Sequence, residues 1–494
     1  MKQTPKEAGT RPLLFPAPKN STALAAAALA SYPLAYLYVR NILFAAPFDG
    51  PATRWGPLLF AVCYLALTEL LARAARRPAG REARLWALCW LIQSGAILAV
   101  GLHIDGIGVF QSAVWHLTAI WCVLSRTGML AAGRSGSLAP LDALTGIFVI
   151  PFGHFWLRIT TLAGAIRAWA ARRRAGEQGT ARRLVQFVLS AAAALALGAF
   201  ACGQLARADQ NFARLWQGIG SWLDRLLWNN EGFVNFLVWF TISVPVGAWL
   251  FGLAGGVASR QEPPFPGAKV WARIGAAPRL PALTANLMVG VLCGVYALFF
   301  GVQAAGFAAA LGAPLPLTAP DAAAFAVNGF WELCRVMALD LAVLALLFFL
   351  GDAPLERRAP RRVLLAVFCG FGVAFALLAA VKLGVYTVLF GLTPKRVWSA
   401  WVLAVLLLTS ILAWVRLYHP IPAARIALAA AAVSFTVLCC LPVEWWCVQD
   451  QTARHLAGQD YDWSLLRRCA GQSTALAARI RETVGAGQAT RHGI

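Results

Sequence analysis

Eleven apolar stretches, most of them about as long as a bilayer-crossing helix, fill most of this 494-residue chain. A spanning α-helix needs roughly 20 apolar residues to cover ~30 Å of hydrocarbon at 1.5 Å per residue. Runs at 283–307, 325–350 and 363–390 exceed that length. Hydrocarbon offers no partner to a backbone N–H or C=O, so such runs fold as helices packed on one another. The sequence therefore predicts an all-α protein, a polytopic transmembrane helical bundle of about 11 spans with amphipathic surface helices. Spans are expected at 22–44, 56–74, 84–102, 109–131, 184–203, 233–255, 283–307, 325–350, 363–390, 397–417 and 424–442.

Charge fixes how those spans are threaded. The chain carries a formal net charge of +22, which in a soluble protein would point to nucleic acid. Here the cations sit in short connections: Arg73, Arg76, Arg77, Arg81 and Arg84; Arg172, Arg173, Arg174, Arg182 and Arg183; Arg357, Arg358, Arg361 and Arg362. Such clusters at alternate connections follow the positive-inside rule and attract anionic lipid head groups. Membrane lipids are thus the expected partners, and nucleic acid is not. Residues 1–20 hold Lys2, Lys6, Arg11, Lys19 and four prolines, a flexible basic arm that places the N-terminus in the cytoplasm. Connections 73–84, 126–183, 256–280, 351–362 and 416–425 then fall inside, while 45–55, 103–108 and 308–322 fall outside with Arg54 as their sole basic residue. Lys395 and Arg396 break the pattern at an outer turn. The apolar stretch after the arm reads as a retained span rather than a cleaved signal. Dense alanine, arginine and tryptophan suit a bacterial inner membrane, with the C-terminal tail in the periplasm.

Two segments resist a simple span. Residues 141–165 are apolar but lie between two basic inside connections and contain Pro151, His154 and Arg158. One crossing there would invert everything downstream, so an interfacial or half-inserted helix is expected. Residues 209–231 place Phe212, Trp216, Ile219, Trp222, Leu226 and Leu227 near one helical face, the pattern of a helix lying at head-group level. Hydrophobicity falls in the tail, where Leu465, Leu466, Cys469, Leu476, Ile480 and Val484 recur at roughly helical spacing. The domain reading is a basic arm at 1–20, N-terminal membrane helices plus the interfacial segment at 21–183, a membrane core at 184–442 and an amphipathic tail at 443–494.

Most of the eleven cysteines lie within apolar runs, where cysteine acts as a small hydrophobe. No C-x-x-C pair occurs, and neither a metal nor a cofactor is expected. Cys447 and Cys469 could bridge in an outside tail; two unpaired thiols is the reading adopted. H-E-x-x-H, G-x-S-x-G and a phosphate-binding glycine loop are all absent, so no catalytic residue is assigned and an enzyme is the third choice.

Ionisable groups inside spans are costly and raise a functional question. The densest set is N-G-F-W-E-L-C-R-V-M-A-L-D in the eighth span. Glu332 and Arg335, three apart, share a face, and Asp340 lies near mid-membrane. In the ninth span Lys382 and Tyr386 share a face. Antiparallel spans put Glu332 about 10 Å and Lys382 about 12 Å below the outer boundary, so Lys382 is expected to meet Glu332 with Tyr386 above it. With Arg396 these form an intramembrane polar cluster: either a structural clasp or a substrate or proton site. His116 reads as a hydrogen-bonded core histidine, His103 with Asp105 as half of a cation site, Glu69 and Arg40 as snorkelling groups, and His154 with Arg158 as interfacial anchors.

GFWEL at 329–333, followed some fifty residues on by Lys382, Tyr386, Gly391-Leu392-Thr393 and Arg396, resembles the bacterial membrane proteins grouped as domain of unknown function 4153/4173. That family carries a Tyr-Ala-Arg-x-Gly-Phe signature on one late span. A later signature has arginine, tyrosine, Tyr-Gly-Leu-Thr and a following arginine. Gly329 and Phe330 match the first, with Phe325 and Val327 where its tyrosine and arginine are expected. In the second, Lys382 replaces arginine and Phe390 replaces tyrosine. ADQNF at 208–212 and Asp462 with Leu465 are similar in placement, so the likeness covers roughly 190–480. It implies a multi-span membrane protein and no established activity. The functional expectation is a non-enzymatic inner-membrane protein, transporter-like or lipid/envelope-associated, with a small-molecule or lipid ligand at a polar site between spans eight to ten. The alternative is a membrane sensor or scaffold that binds a protein partner.

Overall fold

The computed structural model describes residues 21–43, 54–104, 106–176, 231–311, 319–351 and 359–485, with only isolated positions between 177 and 230. The expected arm at 1–20, span at 184–203 and surface helix at 209–231 lie essentially outside the described residues. Among the described residues the regular elements are all helices, with one isolated bridge, Leu280 to Gly351. Among the described residues, nine helices are long and apolar enough to cross a membrane, or ten if one bent pair counts as a span. The all-α polytopic bundle is therefore the observed fold. The described helices include every expected span except 184–203. The third expected span forms a 19-residue helix, Arg81–Ala99, but is not among those nine. Its buried Gln93 and Ser94 explain why its apolar signal is weaker.

The chain divides into two compact units. The first holds α1 (Ser21–Tyr38, continued by a π-turn over Val39–Leu43), α2 (Trp55–Ala74), the segment around residue 154 and a long helix, Glu231–Ser259. Apolar residues run all round these helices, as in a bundle without a water-facing side. The expected half-inserted segment is a broken pair, Ala139–Gly153 and Leu157–Trp169, bent by 41°. Pro151, which lacks a backbone donor, follows the π-turn Thr145–Val149 and precedes the bend. His154 and Arg158 are a correction to the interfacial reading. Both are buried, against Gly256 and Gly247 respectively, and these glycines leave room for the two rings and forks. Arg158 also donates to the Val244 carbonyl at 2.7 Å and stacks on the Tyr32 ring at 3.9 Å. Glu69, partly exposed, binds Arg126 and Arg73, each at 2.6 Å.

The second unit carries the remaining helices, and its chain order sets up the site. We number them α3 (Arg81–Ala99), α4 (Ile107–Thr127), then, past the elements of the first unit, α9 (Gly267–Ala276), α10 (Ala282–Leu311), α11 (Ala319–Leu350), α12 (Ala359–Phe390), α13 (Pro394–Arg416) and α14 (Ala423–Cys440). Between α4 and α9 lie α5 (Ala139–Leu144), α6 (Ile150–Gly153), α7 (Leu157–Gly176) and α8 (Glu231–Ser259). Three short helices close the chain: α15 (Val443–Leu456), α16 (Trp463–Gln472) and α17 (Thr474–Val484).

Helices α10 to α13 pack around Met337, Phe368, Phe375 and Ala376, with small residues such as Ala285 and Ala379 allowing close approach. A second core joins the tail to the bundle: Leu465, Leu466, Cys469, Leu476 and Ile480 meet Ala96, Ile107, Trp398 and Phe435. The tail periodicity is thus a docked face, split into two helices at Ser473. Cys447 and Cys469, both thiols, lie in this core, and burial pushes the Cys447 thiol well above its ordinary pKa.

Candidate functional site

Helix α12 ends at Phe390, and its last carbonyls need partners from outside the helix. All four find one. Arg454 donates to Thr387, Val388 and Leu389 carbonyls at 3.4, 2.5 and 3.1 Å. Arg396 Nη1 donates to Phe390 at 3.0 Å and also to Gly391, while Gln451 reaches Phe390 at 3.4 Å. Cations at a helix C-terminus also complement the macrodipole. The turn then reverses at Gly391, whose φ of +77° favours glycine. A Cβ there would collide with Gln451, with Arg454 Nε at 2.7 Å and with Asp450 Oδ2 at 2.7 Å. Asp450 accepts from the Leu392 amide at 2.6 Å, and fully buried Gln451 ties the turn to the tail by accepting from the Asp462 amide at 2.8 Å. The segment Tyr386 to Arg396 is therefore a capped helix end, locked by one face of α15. Asp450, Gln451 and Arg454 escaped the sequence reading because their partners lie some sixty residues earlier; their i, i+1, i+4 spacing was the available signal.

Beside this turn lies a cavity of about 730 Å³. Phe110, Phe330, Trp331, Leu383 and Val402 give it an apolar wall, and Lys395, Arg396 and Arg468 a cationic one. Arg396 is held over the Tyr386 ring at 4.1 Å. Trp398, 5% exposed, also lines the cavity, and among the described residues its Nε1–H has no hydrogen-bond partner; nor has the buried Nε–H of Arg396. Asp462 is the one carboxylate on the lining. It caps α16, accepting from the Ser464 hydroxyl at 2.6 Å and the Leu465 amide at 3.0 Å. Burial works to raise its pKa, but these bonds and nearby Arg468 outweigh it and hold the carboxyl below the ordinary aspartate value.

Behind Trp398 sits a buried histidine–carboxylate contact. His103 Nδ1 donates to both oxygens of Glu444, at 2.8 and 2.9 Å, and its ring meets Trp398 edge-on at 5.2 Å. Glu444 also accepts from the Ile104 amide at 3.4 Å. His103 thus fastens the turn before α4 to the tail, and its expected companion Asp105 lies outside the described residues. His116 is hydrogen-bonded to the Ser112 carbonyl at 2.6 Å.

The six expected site residues fall into three groups. Glu332 and Arg335 form an exposed i, i+3 pair at 3.7 Å, and the Glu332 charge also acts on Lys382. The Lys382 ammonium packs against Gly329, 2.5 Å from where a Cβ would stand, so the GFWEL segment and the later signature do adjoin. Asp340 lies eight residues further along α11, about 12 Å away. It is buried and accepts from the Tyr296 hydroxyl at 2.6 Å, with Ser410 and Gly372 close by. Tyr386 and Arg396 belong to the cavity; Glu332, Asp340 and Lys382 are not on its lining. Among the described residues no group of three or more His, Cys, Asp or Glu could hold a metal ion.

No curated protein and no solved structure matches the chain. A family model does, over residues 85–480, described as Domain of unknown function (DUF4153). That match takes in the capped turn, the cavity and the docked tail, and the chain belongs to the DUF4153 family.

Proposed function

We propose that this chain is a non-enzymatic protein of a bacterial inner membrane that holds an amphiphilic ligand, a lipid or lipid-like molecule, in the cavity at the ends of α11, α12 and α13. The observation that carries this reading is the union of an aromatic and aliphatic wall with a cationic one in a single cavity of about 730 Å³. Its volume falls in the range that encloses a ligand of drug size, roughly 300–1,000 Å³. The apolar spans Gly329–Leu350, Arg361–Phe390 and Pro394–Arg416 begin or end beside it, which supports a site near the junction of acyl chains and head groups. In the topology read from the arginine-rich connections, that end faces outward. Its one carboxylate is engaged as a helix cap, which leaves little for acid–base chemistry.

Native mass spectrometry of the full chain in mild detergent tests the reading. Co-purified lipid should survive on the wild type and be lost from Ser399→Trp, which fills the cavity, while the variant still unfolds in one cooperative transition. Equal retention by both proteins would place the lipid elsewhere and refute the proposal.

A further inference from the structure

We propose that the cavity selects an anionic head group, a phosphate ester carried on a lipid; this rests on the reading of the cavity as an amphiphile site. Three cationic side chains, Lys395, Arg396 and Arg468, line it against the single carboxylate of Asp462. That carboxylate is already engaged by Ser464 and Leu465, with Arg468 beside it, so the remaining field is positive.

Two further observations ask for an acceptor. Helix α13, 23 residues long, starts at the cavity with Pro394 in its first turn, and the side chain of its N-cap Thr393 makes no capping hydrogen bond. The N-terminal amides of α13 therefore lie beside the cavity, with Asp450 held on the preceding Leu392 amide at 2.6 Å. The buried Nε–H of Arg396 and the Nε1–H of Trp398 both lack a partner among the described residues. Buried donors are otherwise nearly always satisfied, and each orphan is a sizeable cost. A phosphate oxygen supplies acceptors to a guanidinium fork and an indole together. Arg396 is also rigid before any ligand arrives, clamped by the Phe390 and Gly391 carbonyls and stacked on Tyr386. A fixed fork loses little freedom on binding an anion. A zwitterionic head group would bring a second cation into a wall that already holds three.

The experiment uses the full chain in detergent and follows its melting temperature during titration with short-chain phosphatidylglycerol, short-chain phosphatidylcholine or inorganic phosphate. Lys395→Gln/Arg468→Gln removes two lining charges without touching the Arg396 clamp. Lys269→Gln/Arg273→Gln removes two exposed charges on α9 and serves as the control. Phosphatidylglycerol should bind the wild type and the control alike, and about tenfold or more weaker to the lining variant. Phosphatidylcholine should bind weakly to all three. Equal affinity for both lipids overturns the head-group inference and leaves the amphiphile reading standing. Equal phosphatidylglycerol loss in the control does the same, since the effect is then net charge. No lipid affinity that depends on Ser399→Trp overturns the underlying reading. Inorganic phosphate matching phosphatidylglycerol would overturn a lipid as the source of the anion.

Discussion

Arg454 satisfies three consecutive carbonyls at the end of α12, while sharing Asp450 at 3.3 Å. Replacing it with alanine should cost about 3 kcal/mol, since three charged hydrogen bonds to the end of the helix are lost together. Arg454→Lys should recover little, because an ammonium cannot reproduce the fork. Thermal unfolding in detergent measures this, and a loss under about 1 kcal/mol for the alanine variant would deny the clasp its role. Tyr296 and Asp340 make a second residue-scale case. Among the described residues the hydroxyl is the one hydrogen-bond donor to that carboxyl, and the other carboxyl oxygen has no partner. A cycle of Tyr296→Phe and Asp340→Asn should show a coupling of about 1–2 kcal/mol; additive losses would mean that the 2.6 Å bond contributes nothing.

Helices, rather than single residues, decide how the tail and the spans depend on conditions. Asp462 caps α16, and its pKa lies below the ordinary value of about 3.9. A depressed acid contributes stability that is present above the unfolded pKa and disappears as pH falls through the folded one. Protease sensitivity of the 457–462 connection should therefore rise below about pH 4 in the wild type, and Asp462→Asn should remove that acid-dependent component. Between α11 and α12, Glu332→Gln and Lys382→Met test the expected meeting of charges. Their cycle should give a coupling no larger than about 1 kcal/mol, as Glu332 is exposed and shares its charge with Arg335. What sequence could and could not reveal is clear at this scale. Length and hydropathy located α10 to α14 to within a few residues, and period placed Leu465, Leu466, Cys469 and Ile480 on one buried face. The pairing of His103 with Glu444, 341 positions apart, had no local signal. Tyr386 and Arg396 stood out through a motif, whereas their role as a helix end emerges only when α15 is set against them.

Across the whole molecule, the arginine-bearing connections carry a topology that we propose rather than observe: basic ends on the cytoplasmic side and the cavity on the opposite one. Cysteine substitutions at Arg76 and Gln459 should react with a membrane-impermeant thiol reagent from opposite sides, the second from outside; labelling of both from one side would invert or break that topology. The two compact units differ in what they bury, with Arg158 stacked on Tyr32 in one and the ligand-sized cavity in the other. A lipid ligand requires that cavity to be occupied in a membrane. A density map of the full chain in phosphatidylglycerol nanodiscs tests it most directly. An elongated feature along Trp331, Leu383 and Val402, with its compact end at Arg396 and Trp398, is the predicted result. A cavity closed by its own side chains, or filled with disconnected solvent peaks, would contradict it.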